Sequence, residues 1–89
     1  MSRVNAQAVA ANPLLQRREE LSLSQREIAG RLGLTAQQIW NWEHDRSAPR
    51  RTQLVPLAKA YEVTIAQMRD WLVETAGRVL RHRMNRGDA

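Results

Sequence analysis

The sequence predicts an all-α protein, a compact domain of five helices. Three observations carry that prediction. Apolar residues recur at spacings of three and four rather than two. Helix-start signatures of the form Ser/Thr-x-x-Glu/Gln punctuate the chain at Ser24–Glu27, Thr35–Gln38 and Thr64–Gln67. No segment has the alternation or the β-branched richness of a strand.

The elements follow in order. Asn12-Pro13 opens a first helix over roughly 13–21, with Asn as cap and Pro at the first helical position. Leu14, Arg18 and Leu21 share one side of it, and Ser22-Leu23 interrupts it. Ser24 and Glu27 start the second helix, with Ile28, Ala29 and Leu32 as its apolar stripe. Gly33 closes it, being able to turn left-handed without strain. The third helix runs from about Ala36 to His44 and faces Ile39 and Trp42 inward. A loop with Pro49 and Arg46, Arg50 and Arg51 follows. Thr52 opens a fourth helix through Leu54, Leu57, Ala58 and Tyr61, in which Pro56 falls near the first turn, where a missing amide costs little. Thr64 opens a fifth helix through Met68, Trp71 and Leu72. The helical pattern continues to Met84, with Val73, Ala76, Leu80 and Met84 as a thin second stripe and Gly77 as its weak point.

Composition narrows the function. Eighty-nine residues leave room for one small core. The absence of cysteine excludes disulfides, thiolate zinc sites and a thiol nucleophile. With only His44 and His82, no three-histidine metal site is available, and no Ser/His/Asp arrangement or phosphate loop appears; an enzyme is not expected, nor a cofactor or metal. Fourteen basic residues stand against nine acidic ones, and all the basic ones but Lys59 are arginine. Arginine is the better fork for phosphate and guanine, which favours nucleic acid as a partner. Neither a signal peptide nor a membrane span is evident, so a cytoplasmic, nucleoid-associated protein without a membrane partner is expected.

The second and third helices form a unit of their own. Two short capped helices joined by a tight glycine turn define a helix-turn-helix. Ala29 is small where the two helices must cross, Gly33 makes the turn, and Ile39 packs back. The outer face of the third helix is then Ala36, Gln37, Trp40, Asn41 and His44. Gln and Asn can bond adenine bidentately, and an apolar group can touch a thymine methyl.

The run Leu21-x-Leu-Ser-Gln-Arg-Glu-Ile-Ala-Gly-Arg-Leu-Gly-Leu-Thr-x-x-x-Ile-x-x-Trp-Glu43 resembles the Cro and phage-repressor type of helix-turn-helix protein, also called the xenobiotic response element family. The likeness covers about residues 14 to 72, and Pro49, Leu54, Leu57-Ala-Lys-Ala60, Val63-Thr and Met68 extend it into the last two helices. The resemblance implies a role for each matching residue. Gln25 bonds a DNA phosphate and braces the recognition helix. Gln37 and Asn41 read bases, with Ala36 and Trp40 at two further base-facing positions. Arg46, Arg50 and Arg51 line the phosphate backbone. Arg18 and Glu43 form a buried ion pair between the first helix and the end of the third.

Three positions depart from the pattern. Ala36 stands where several relatives carry a reading glutamine. Asp45 stands where glycine is usual; it tolerates left-handed geometry, but its charge opposes phosphate. Trp40 is large for a groove-facing position and has three options: stacking on sugar, contacting a thymine methyl, or packing on the protein. The arginine-rich end holds three of the five surplus charges, since residues 1 to 74 carry ten basic and eight acidic groups. It is a dimer helix along Leu72, Ala76 and Leu80, a basic tail on flanking DNA, or a solvated helix end.

The expected organisation is an N-terminal arm or short helix over 1–12, a DNA-binding domain over 13–72, and a basic helical extension over 73–89 that serves dimerisation. The expected function is that of a sequence-specific regulator of prokaryotic or phage type. It is a repressor that binds double-stranded DNA as a homodimer on a two-fold operator, with RNA polymerase or a regulatory protein as a further partner. The competing reading is a protein-binding adaptor, transcription inhibitor or antitoxin that reuses the same fold.

Overall fold

The computed structural model describes residues 11–86. Five α-helices make up the fold: α1 (Pro13–Glu20), α2 (Gln25–Leu32), α3 (Ala36–Glu43), α4 (Leu54–Ala60) and α5 (Ile65–Asn85). A single 3₁₀ turn, Arg51–Gln53, leads into α4. There is no strand among the described residues. No helix among them is long and apolar enough to cross a membrane. Most of the segment expected to be an N-terminal arm or short helix lies outside the described residues.

The core is the set of inward faces that the apolar spacing marks. Leu14, Ile28, Ala29, Ile39, Trp42, Leu57, Ala58, Tyr61, Met68 and Leu72 are buried together, one or more from every helix. α2 and α3 pack most extensively on each other, and α4 packs on both α2 and α5. The starts are fixed by side-chain caps. Ser24 Oγ accepts from the Glu27 amide at 3.0 Å while the Glu27 carboxylate accepts from the Ser24 amide at 2.8 Å. Thr35 and Gln38 repeat the arrangement at 3.2 and 3.0 Å. Thr64 makes only the forward half, its hydroxyl accepting from the Gln67 amide at 3.0 Å.

The ends are fixed by a repeated device. Helices α1 to α4 each stop at a left-handed residue: Ser22 (φ 58°), Gly33 (φ 68°), Asp45 (φ 59°) and Glu62 (φ 56°). The amide two places after each helix cap, or one after Gly33, reaches back to a carbonyl of the last turn, as in Leu23 to Arg18 and Val63 to Ala58. Only Gly33 adopts this geometry at no steric cost. Two arginines cover the end of α4. Arg17 donates to the Tyr61 and Glu62 carbonyls at 2.9 and 2.8 Å, and Arg31 donates to the Ala60 carbonyl and the Glu62 carboxylate, both at 2.8 Å.

Three expectations need correction. Thr52 does not open α4; the 3₁₀ turn does, with Gln53 taking the Arg50 amide at 3.1 Å. Gly77 does not break the last helix, which runs unbroken for 21 residues. Leu72 does not belong to the outer stripe of that helix. It follows Met68 by four residues, is 6 % exposed and completes the core. The exposed stripe is Val73, Ala76, Leu80 and Met84. The boundary expected after Leu72 thus falls inside α5, whose buried side continues through Thr75 and Val79.

Candidate nucleic-acid interface

The third helix is anchored from behind by a carboxylate with three donors. Glu43, its side chain 0 % exposed, accepts from Arg18 Nε at 2.6 Å and Arg18 Nη2 at 2.9 Å, a bidentate fork, and from Gln25 Nε2 at 3.0 Å. Arg18 also donates to the Leu23 carbonyl at 2.9 Å. One ionic cluster therefore joins α1, the turn after it, the start of α2 and the end of α3. The hydrogen bond to Glu43 raises the Arg18 pKa above its ordinary value, against the opposing effect of burial. Tyr61 is buried within the electrostatic reach of this cluster. Burial first, and then the Glu43 charge, push its phenol well above the ordinary range. Its hydroxyl has no hydrogen-bond partner among the described residues.

A second node fixes the turn that follows α3. Asn12 is buried and uses its whole amide. Its Oδ1 caps α1 by accepting from the Leu14 and Leu15 amides at 2.9 and 3.2 Å. Its Nδ2 donates to the Trp42 carbonyl at 2.9 Å and to Asp45 Oδ1 at 3.2 Å. Arg78 of α5 donates to the same Asp45 oxygen at 2.9 Å and to the Ala11 carbonyl at 3.3 Å. The Asp45 charge, which the sequence sets against phosphate, is thereby paired inside the protein. One of the arginines of the C-terminal stretch is built into the fold.

The outer face of α3 has a different character. Ala36, Gln37, Trp40 and Asn41 lie on it, either exposed or partly so. Their hydrogen bonding is local. Gln37 Nε2 donates to Asn41 Oδ1 at 3.1 Å, an i,i+4 pair. Trp40 stacks on His44 one turn on, with ring centroids 3.9 Å apart and planes 13° from parallel. His44 Nδ1 sits 2.9 Å from the Trp40 carbonyl oxygen, so Nδ1 carries the proton in that contact. The Arg46 guanidinium lies over the Trp40 ring, 5.6 Å from its centroid. Gln25, Ala36, Gln37 and Trp40 together line a shallow depression on this face. Arg46, Arg50 and Arg51 are exposed in the loop that follows.

Arg17, Arg18, Arg31 and Arg78 are thus held by internal bonds, while the loop arginines stand outward. Sequence reasoning singled out the face and its anchor but not the Asn12–Asp45–Arg78 node or the Trp40–His44 stack. The stack had a signal in the i,i+4 spacing of two rings; the node, with Asp45 and Arg78 standing 33 positions apart, had none.

Neither the curated proteins nor the solved structures include a match to this chain. Residues 14–68 match the helix-turn-helix family. That span begins at the first core residue of α1 and ends at Met68 of α5, so it takes in both anchors of the ionic cluster and the whole outer face of α3. With well over half its length in that match, the chain belongs to the helix-turn-helix family of Cro and phage-repressor type, a family of DNA-binding transcription regulators.

Proposed function

We propose that the protein is a repressor that binds a two-fold operator as a homodimer. The observation that carries this reading is the outer face of α3: a pair of amides and an aromatic ring held outward on a helix fixed from behind, beside a loop of exposed arginines. In this reading α3 enters the major groove and α2 crosses the backbone. Ala36, Gln37, Trp40 and Asn41 face the bases. The Gln37–Asn41 pair offers the donor and acceptor that adenine requires. Gln25, Arg46, Arg50 and Arg51 contact phosphate, and the half-sites lie about 34 Å apart. Repression follows from occlusion of the promoter.

Pairing is assigned to the outer stripe of α5. Val73 is 72 %, Leu80 58 % and Met84 64 % exposed, an apolar row along the outside of the helix. Beside it runs a groove lined by Pro49, Leu54, Leu72, Val73 and Ala76 together with Arg51 and Arg69. The helix is roughly 31 Å long at 1.5 Å per residue, enough for an antiparallel contact of several turns.

Selection from a random duplex pool tests the reading, followed by titration of the selected site against salt. The expected outcome is a two-fold site whose affinity falls steeply from low to moderate salt. A protein that retains no duplex at low salt is an adaptor that uses the same face on a protein partner. Val73→Glu together with Leu80→Glu is expected to give a folded monomer in sedimentation and to weaken operator binding.

A further inference from the structure

We propose that Trp40, clamped by His44 and Arg46, reads the 5-methyl group of a pyrimidine in the major groove. The inference rests on the DNA-binding reading above and deepens it by naming the chemical feature that one part of the face recognises.

The geometry supplies two independent supports. The first is the clamp. An indole on a helix surface ordinarily has several rotamers open to it, and a mobile ring discriminates poorly. Here the ring is stacked at 3.9 Å on His44, whose own orientation is fixed by the 2.9 Å contact of Nδ1 with the Trp40 carbonyl. Arg46 is brought over the same ring by the left-handed turn at Asp45, its amide bonded to the Asn41 carbonyl at 2.9 Å. Asp45 is in turn held by Asn12 and Arg78. The ring position is therefore set by bonds that reach α1 and α5. Preorganisation of this kind removes the ordering cost of binding.

The second support is what the ring faces. The shallow depression between α2 and α3 is lined by two apolar residues, Ala36 and Trp40, and two amide residues, Gln25 and Gln37. Its apolar part suits a small group with no hydrogen-bonding demand. In the major groove of B-DNA the group of that description is the 5-methyl of thymine, or of 5-methylcytosine. Ala36, Trp40 and His44 follow one another at i,i+4 along one row of α3, and Gln37 and Asn41 form the adjacent row. An apolar row beside an amide row suits neighbouring steps that present a pyrimidine methyl and an adenine edge. Ala36 fits this account, because a glutamine there would fill the depression.

The test uses the full chain and a duplex chosen by the selection described above. Each thymine is replaced in turn by deoxyuridine, which removes the methyl and leaves every hydrogen-bonding group in place. In parallel, each cytosine is replaced by 5-methylcytosine. The expected result is one position per half-site at which loss of the methyl weakens binding about fourfold, the value of one buried methyl. A cytosine whose methylation strengthens binding by a similar factor supports the proposal and identifies the other source of the group. In Trp40→Ala the effect vanishes. In His44→Ala the ratio of affinities for the methylated and demethylated duplexes falls toward one, a change that mere loss of stability would not give. Equal affinity of the wild-type protein for every substituted duplex overturns the proposal and leaves DNA binding standing, and so does a methyl effect that persists in Trp40→Ala. Failure of the wild-type protein to retain any duplex overturns both. The wild-type comparison needs no variant to fold.

Discussion

The two sides of α3 are built by opposite means. On its inner side Ile39 and Trp42 are packed in the core and Glu43 is gripped by donors from α1 and α2. On its outer side Gln37 touches Asn41, and Trp40 touches His44 and Arg46, all within the helix or the turn that ends it. Long-range bonds fix where the helix and the turn after it lie; the contacts on the outer side itself are short-range and set what it presents. Changes on the inner side should therefore act on folding, and changes on the outer side on recognition.

Removing the Glu43 carboxylate should break this division most severely. Glu43→Ala strands the guanidinium of Arg18, a side chain 13 % exposed, and a loss of about 3 kcal/mol in unfolding free energy, the low end for a buried pair, is expected by denaturant titration. A loss below 1 kcal/mol would mean that the cluster is far better solvated than its burial implies. Asn12→Ala comes next. It removes the cap of α1 and leaves the Trp42 carbonyl without its donor, for an expected cost of roughly 2 kcal/mol in the same measurement. Asn12→Asp keeps the cap but sets a second carboxylate against Asp45, and should be no better.

The outer side should behave in the reverse way. Asn41→Ala or Gln37→Ala is expected to leave unfolding within about 0.5 kcal/mol of wild type, while weakening the selected site by about 1–3 kcal/mol and relaxing preference at one base step. A large stability change with unaltered base preference would erase the contrast between the two sides. Tyr61→Phe sharpens the inner side. Its hydroxyl is buried without a partner, so removal should be neutral or stabilising by up to about 1 kcal/mol. A clear loss would reveal a bond to water at that hydroxyl.

The smallest effect lies at the start of α2. Hydrogen bonds from the Ser24 amide and hydroxyl hold the Glu27 carboxyl below its ordinary value of 4.5. A lowered folded-state pKa stabilises the protein above the unfolded value, and that contribution disappears as pH falls through the folded one. Glu27→Gln should therefore lower stability slightly at neutral pH and leave the acid end almost unchanged, which flattens the acid limb of the stability profile.

Local chemistry was legible in the sequence, and long-range chemistry was not. Ser24–Glu27 and Thr35–Gln38 announce two helix starts because each cap is made within four residues. The core faces follow from spacing alone. The left-handed end at Glu62 was invisible, because what holds it there is Arg17 and Arg31 from helices more than 30 positions earlier. Thr75 concealed the buried side of α5: a threonine beside Glu74 and three places before Arg78 looks solvated, yet its hydroxyl turns back to the Leu72 carbonyl at 3.1 Å and needs no water. Of the outer face, the positions of Ala36, Gln37, Trp40 and Asn41 were legible from helix phase. The bonds that hold Trp40 still were not, since they pass through Asp45 to Arg78.

The link from Asp45 to Arg78 bears on how such a reader can be inherited. The stretch that marks this chain as a helix-turn-helix ends at Met68, ten residues short of the arginine that secures the turn after α3. A recombination event or a synthetic chimera cut at the signature would carry over the face and leave behind one of the bonds that hold it. For this protein the transplantable unit extends at least to Arg78, and α3 and α5 are expected to change together.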